Sequence, residues 1–149
     1  MYPKELRDWI EPIATAIGQS LVDSINLTLP DGSVMTLSNE DIDPRNNYSL
    51  LGSIFECALR KALNGRKESG ENAPDITVTF NGIDYPIECK CLRRKTADVE
   101  GSAERIGRLY VIFWIVENEV TFSIPRERSA KGYLKPIERP VALRHRPNW

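Results

Sequence analysis

The sequence predicts a mixed α/β domain, in which helices and a mixed sheet share one core. Three observations predict it. Apolar residues recur at helical spacing in residues 3–24 and 48–64. Two runs of strict two-residue alternation flank Asn81-Gly82. The longest apolar run, Leu109 to Val116, falls far short of the ~20 residues of a membrane span and reads as a buried strand. A length of 149 residues fits a single domain, and a hydrophobic fraction of 41% is enough for a core.

The elements follow in order. In residues 3–24, Trp9, Ile10, Ile13, Ile17 and Leu21 form the helical stripe, and Pro12 predicts a break or kink near Glu11. Ile25, Leu27 and Leu29 alternate with polar residues, Pro30-Asp31-Gly32 is a turn signal, and Val34 to Leu37 returns as a strand. Residues 38–47, polar and containing Pro44, read as a loop joining this N-terminal helix and hairpin to the main body. From Tyr48 to Asn64 the helix places Leu51, Ile54, Phe55, Ala58, Leu59 and Ala62 on one face, with Asn47 or Ser49 as cap and Gly65 as stop. Residues 66–73 read as loop.

Ile76, Val78 and Phe80 then alternate with Asp75, Thr77 and Thr79, and Ile83, Tyr85, Ile87, Cys89 and Cys91 alternate with Asp84, Glu88 and Lys90. Asn-Gly between two such runs is the strongest short hairpin signal, because both residues must adopt positive φ. Residues 98–108 predict a short charged helix, Leu109 to Val116 a strand, Glu117-Asn118-Glu119 a turn, and Val120 to Ile124 another strand. From Pro125 onward the chain is basic and punctuated by proline. The reading is one domain of 1–149, with an N-terminal segment 1–47, a core 48–124 and a basic arm 125–149.

Composition narrows the function classes. Three cysteines, Cys57, Cys89 and Cys91, lack the CxxC spacing, and the one histidine is His145. A disulfide framework and a zinc site are therefore not expected, whereas buried, reduced cysteines in a cytoplasmic protein are. The N-terminus turns polar at once, so neither a secretory leader nor a membrane anchor is expected. The net charge is −1, but it is unevenly spread: residues 1–50 carry 3 basic and 8 acidic groups, residues 51–100 carry 8 of each, and residues 101–149 carry 9 and 5. For attracting a polyanion the local field counts for more than the total, although ordinary charge scatter explains the same numbers.

A two-residue Asn81-Gly82 loop makes Phe80 face Ile83, and by the same register Asp75 face Glu88. Facing side chains have Cβ atoms ~4.5–5.5 Å apart. Lys90 shares the face of Glu88 because side chains alternate. Two carboxylates so placed repel each other, and a hard divalent cation such as Mg²⁺ relieves the conflict. Lys90 then adds a mobile positive charge for a phosphate or a water. Equally, Lys90 can simply form a salt bridge with Glu88 or Asp75, and the strand can be an ordinary polar face.

Pro74-Asp75 followed by Glu88-Cys89-Lys90 resembles the signature of the PD-(D/E)xK nuclease superfamily, the restriction-endonuclease-like fold. The order helix, strand, strand, helix, strand over residues 48–124 is similar to that fold's core. The bare motif is a weak match, and Pro30-Asp31 is a decoy whose Gly32 marks a turn.

The resemblance implies a Mg²⁺-dependent endodeoxyribonuclease, with Mn²⁺ as a substitute and no small-molecule cofactor. It implies Asp75, Glu88 and the Cys89 carbonyl as metal ligands, Glu56 from the preceding helix as a further acidic ligand, and Lys90 as the residue serving the water. Glu56 lies at the edge of the apolar stripe beside Gly52, where an ordinary boundary glutamate is the competing reading. DNA is the implied partner and a homodimer the implied assembly, since a two-fold axis presents two sites to a duplex. Arg93, Arg94 and Lys95 after the site strand, with Arg105 and Arg108 on the next predicted helix, are candidate phosphate contacts. The alternative function is a catalytically inactive module of the same fold that binds DNA or a protein.

Overall fold

A computed structural model describes residues 2–38, 41, 47–71, 73–93, 108–115, 119–123 and 140–142. Among these the chain folds as α1 (Lys4–Asp23), β1 (Ser24–Thr28), β2 (Val34–Ser38), α2 (Tyr48–Ala62), β3 (Ile76–Phe80), β4 (Ile83–Leu92), β5 (Leu109–Trp114), β6 (Glu119–Ser123) and β7 (Pro140–Ala142). β1 and β2 form a separate hairpin, and the other five strands form one sheet in the order β3-β4-β5-β6-β7. The β4–β5 pair is parallel and the other neighbours are antiparallel, so the sheet is mixed, as expected. No described helix is long and apolar enough to cross a membrane.

α1 has no break at Pro12. The helix runs unbroken from Lys4 to Asp23 with Pro12 inside it and exposed. Leu6, Ile10 and Ala14 are fully buried, and Trp9, Ile13, Ile17 and Leu21 pack beside them. Burial of this stripe outweighs the ~3 kcal/mol that an internal proline costs a helix. Leu6, Ile10 and Ala14 belong to the same core cluster as α2 and the main sheet, so α1 is an integral part of the body.

In α2 the buried stripe is Leu51, Phe55, Leu59 and Leu63, whereas Ala62 is exposed. Asn47 occupies the N-cap without a side-chain capping hydrogen bond to the helix. The helix stop also differs from expectation. Asn64 takes the left-handed conformation (φ 52°), the Gly65 N–H donates to the Arg60 carbonyl (2.8 Å), and the Asn64 N–H donates to Lys61 (3.2 Å). This is a Schellman ending with Asn rather than Gly at the left-handed position. Gly65 is required by space, because a Cβ there would sit 2.6 Å from Ile76 Cγ2.

The Asn81-Gly82 turn is as expected. Both residues have positive φ (50° and 78°), and Phe80 pairs with Ile83 and Ile76 with Ile87. The decoy Asp31 sits in a turn, where its Oδ1 accepts from the Ser33 N–H at 2.9 Å. The predicted helix over 98–108 lies outside the described residues except for Arg108, which is a bend leading into β5. Glu119, expected in a turn, opens β6 and is buried. Within the basic arm, Pro140–Ala142 pairs with β6 as an edge strand.

Both faces of the sheet are covered at its centre. Ile87, Val111, Phe113, Val120 and Phe122 face the helices, with Phe55 stacked on Phe113 at 5.4 Å. Tyr110, Ile112 and Trp114 are buried on the opposite face. Every residue of β5 is buried, which explains why its sequence is a continuous apolar run instead of an alternation.

Candidate active site

The site forms where β4 outruns β3. β3 pairs with β4 only from Ile83 to Ile87, and from Glu88 to Leu92 β4 has β5 on one side and no strand on the other among the described residues. Backbone groups of alternate residues point to alternate sides. The Leu92 carbonyl accepts from Ile115 on the β5 side. Cys89 has the opposite parity, so its N–H and carbonyl face the open edge. Asp75, the last residue before β3, meets that edge: its Oδ2 accepts the Cys89 N–H at 2.8 Å.

This corrects the expected pairing. The ladder ends at Ile76–Ile87, one step short of Asp75 and Glu88, and Asp75 is engaged by backbone at the strand edge instead of lying flat across from Glu88. Glu88 and Lys90 do share a face, beside Tyr110 and Ile112 of β5, and that face is the one away from the helices. It is not solvated at Glu88, whose side chain is 1% exposed.

Glu88 is compensated by Arg108, whose Nη1 lies 2.6 Å from Oε1. Arg108, a candidate phosphate contact on a predicted helix, is the residue before β5, with a side chain only 16% exposed and turned to Glu88. Parity carries a trace of this: Arg108, Tyr110 and Glu88 share one face once β4 and β5 run parallel. That pairing joins residues on either side of a long crossover, which no local pattern reports.

Lys90 is half-buried and has no ion-pair partner among the described residues, so the simple salt bridge to Glu88 or Asp75 does not form. It lines an open cleft of about 270 Å³ with Glu56, Gly52 and the Cys89–Cys91 edge. α2 can approach this closely because Gly52 lacks a side chain; a Cβ there would sit 2.7 Å from Cys91 Cβ. Glu56 is half-buried and makes no hydrogen bond or ion pair with a described residue.

The electrostatics tie the three carboxylates together. The Glu56 carboxyl is held above its usual range, first by burial, then by the charge of Asp75, with Glu88 adding and Lys67 and Arg60 opposing. Burial pushes the Cys89 thiol well up, and the negative field of Asp75, Glu56 and Glu88 adds to it. Burial pushes Cys91 to about 12. Neither thiol is a nucleophile at neutral pH.

In donor chemistry the set fits a hard divalent cation: three carboxylates and a strand-edge carbonyl, all oxygen. The side chains are not yet gathered around a point. Among the described residues, no group of three or more His, Cys, Asp and Glu side chains is positioned to hold a metal ion. Glu88 is turned to Arg108, and Asp75 to the Cys89 N–H. Of the candidate phosphate contacts, Arg93 is exposed at the bend after β4, while Arg94, Lys95 and Arg105 lie outside the described residues.

No family model, curated protein or solved structure matches the chain.

Proposed function

We propose that the protein is a Mg²⁺-dependent endodeoxyribonuclease with a restriction-endonuclease-like core of the PD-(D/E)xK kind. The observation that carries this reading is one cleft bordered by Glu56 and Lys90, both half-buried and neither with an ion-pair partner among the described residues. Asp75 and Glu88 are close enough to raise the Glu56 carboxyl. Structural surface charges normally settle into ion pairs; among the described residues these two do not, and Glu56 lies beside like charges that repel it.

Glu56, Asp75, Glu88 and the Cys89 carbonyl would hold the metal, with Mn²⁺ as a substitute. When bound, such an ion lowers the pKa of a water and stabilises charge on the phosphodiester. The Cys89 N–H fixes one Asp75 carboxylate oxygen at the strand edge. Lys90 borders the cleft from the Glu88 face of β4, and its ammonium would orient a water or meet a phosphate oxygen at that edge. Arg93 extends the positive charge beyond the strand end. A homodimer would bring two such clefts to one duplex.

The test is plasmid cleavage by the purified chain with Mg²⁺, beside Asp75→Ala and Lys90→Ala. Each substitution is expected to reduce cleavage by at least about 10²-fold, the scale for losing one electrostatic group of a site. Equal cleavage by wild type and both variants means a contaminating nuclease and sinks the assignment.

One observation favours a second reading, a nuclease-fold module without catalysis: Glu88 is already neutralised by Arg108. Calorimetry with Mn²⁺ separates the two, since the inactive module predicts no metal binding.

A further inference from the structure

The β1–β2 hairpin has two unlike faces. Ile25 pairs with Leu37 and Leu27 with Met35, so one face carries four apolar side chains. The other carries Asn26, Thr28, Val34 and Thr36, with the Thr36 hydroxyl donating to Asn26 Oδ1 at 2.8 Å. At the Ile25–Leu37 end the hairpin is half-buried, and Ile25 packs against the core. At the Leu27–Met35 end it is exposed, by 44% and 45% at those two residues. Among the described residues, four of the six exposed large apolar side chains lie between Leu27 and Met35. The turn that joins the strands is tied down: the Leu29 N–H donates to the Ser33 carbonyl at 2.8 Å, and Asp31 Oδ1 accepts the Ser33 hydroxyl at 2.6 Å. Among the described residues neither strand pairs with the main sheet. A two-stranded sheet is marginal in water unless its apolar face is packed.

Charge selects what packs there. No lysine or arginine occurs between Arg7 and Arg45, whereas seven acidic residues do. Nucleic acid and anionic lipid both call for cations at the contact, so neither fits this segment. Residues 24–38 hold one charged residue, Asp31, in a chain that is 28% charged. In a two-fold contact each group lies near its own copy, so a charged patch repels itself and a neutral apolar one does not. We propose that the Leu27–Met35 face is where two copies of this chain meet, hairpin against hairpin across a two-fold axis. The tied turn and the paired strands leave little backbone freedom to lose on contact. Area sets the strength. Two strands of five residues offer on the order of a few hundred Å² per copy, below the ~800 Å² of a standard interface, so the dimer is weak, with a Kd on the order of tens of micromolar. This gives a homodimer its contact surface, but it stands on the hairpin alone and holds whether or not the cleft cuts DNA.

The experiment is sedimentation velocity of the full chain from about 1 to about 300 µM, a range that brackets the expected Kd. The wild type should pass from monomer to dimer across it. Leu27→Thr combined with Met35→Thr removes the apolar pair but keeps strand-forming residues at two exposed positions, and should weaken the dimer more than tenfold. Val34→Thr, on the opposite face, should leave it unchanged. A wild-type chain that stays monomeric at about 300 µM overturns the proposal. So does a dimer that survives the double substitution, or one that Val34→Thr abolishes. Should the double variant not fold, hydrogen exchange of the wild type decides: the amides of residues 25–37 must gain protection as concentration rises through the dimer transition. Protection that does not change with concentration overturns the proposal, and if it is uniformly high it assigns the face to a segment of the same chain. Plasmid cleavage with Mg²⁺ is scored separately. A monomer that cuts sinks the dimer face and spares the nuclease reading, whereas a dimer that does not cut does the reverse.

Discussion

Glu56 shows at the scale of one residue how a candidate site opposes folding. Burial and the charge of Asp75 raise its carboxyl above the ordinary 4.5, so the folded chain holds that proton more tightly than the unfolded chain does. Below pH 4.5 this preference contributes in full. It fades as pH rises through the raised value, and at neutral pH the ionised group is a net cost. Glu56→Gln is therefore expected to raise the melting temperature of the metal-free protein at pH 7, with no gain below pH 4.5. Solvent reaches Glu56, so the gain is discounted to about a few tenths of a kcal/mol. The same substitution should weaken Mn²⁺ binding, the usual opposition between stability and a charged site. A melting temperature lowered at pH 7 would mean that Glu56 has a stabilising partner. The chemical types at Glu56, Asp75, Glu88 and Lys90 were legible from the sequence because the motif spaces them on a hairpin and a helix edge. That Glu88 is paired with Arg108 was not, because Arg108 reaches it only across a parallel strand pair.

At the scale of elements, α1 overrides a local signal. Pro12 lacks the N–H that would bond one turn back, and its exposed ring makes no contribution to the buried Leu6–Ile10–Ala14 stripe. Pro12→Ala restores the donor without disturbing the core, and chemical denaturation should show a gain of about 1–3 kcal/mol. A loss would mean that the helix needs a proline-induced bend to reach the sheet. The β3–β4 hairpin behaves in the opposite way. Asn81-Gly82 and the flanking alternation predict its loop length and register without tertiary help, since a two-residue loop with two positive φ angles admits one pairing. The end of the ladder, where Asp75 leaves it to cap the Cys89 N–H, depends on the polypeptide arriving from α2 and was not readable from alternation alone.

For the whole molecule, stability is centred on β5. Its six residues are buried and it is paired on both sides. The β1–β2 hairpin is a separate two-stranded sheet that leaves Leu27, Met35 and Val34 exposed, the last at 62%. Hydrogen exchange should show the amides of Val111 and Phe113 opening only with global unfolding, whereas residues 25–37 exchange orders of magnitude faster. Comparable protection of the hairpin would show that its apolar face is covered in solution.

The sequence by itself determined the mixed α/β class, the boundaries of two helices, the hairpin and its register, and the set of charged residues available to a site. Each is encoded within a few residues by periodicity or by turn stereochemistry. The tertiary structure decided which strand lies beside β4, how far β3 accompanies it, which cation neutralises Glu88, and that Glu56 and Lys90 share one cleft. Those outcomes belong to contacts between distant segments. Their geometry is set by burial on both faces of a sheet and by the close approach that Gly52 permits, neither of which has a local signature.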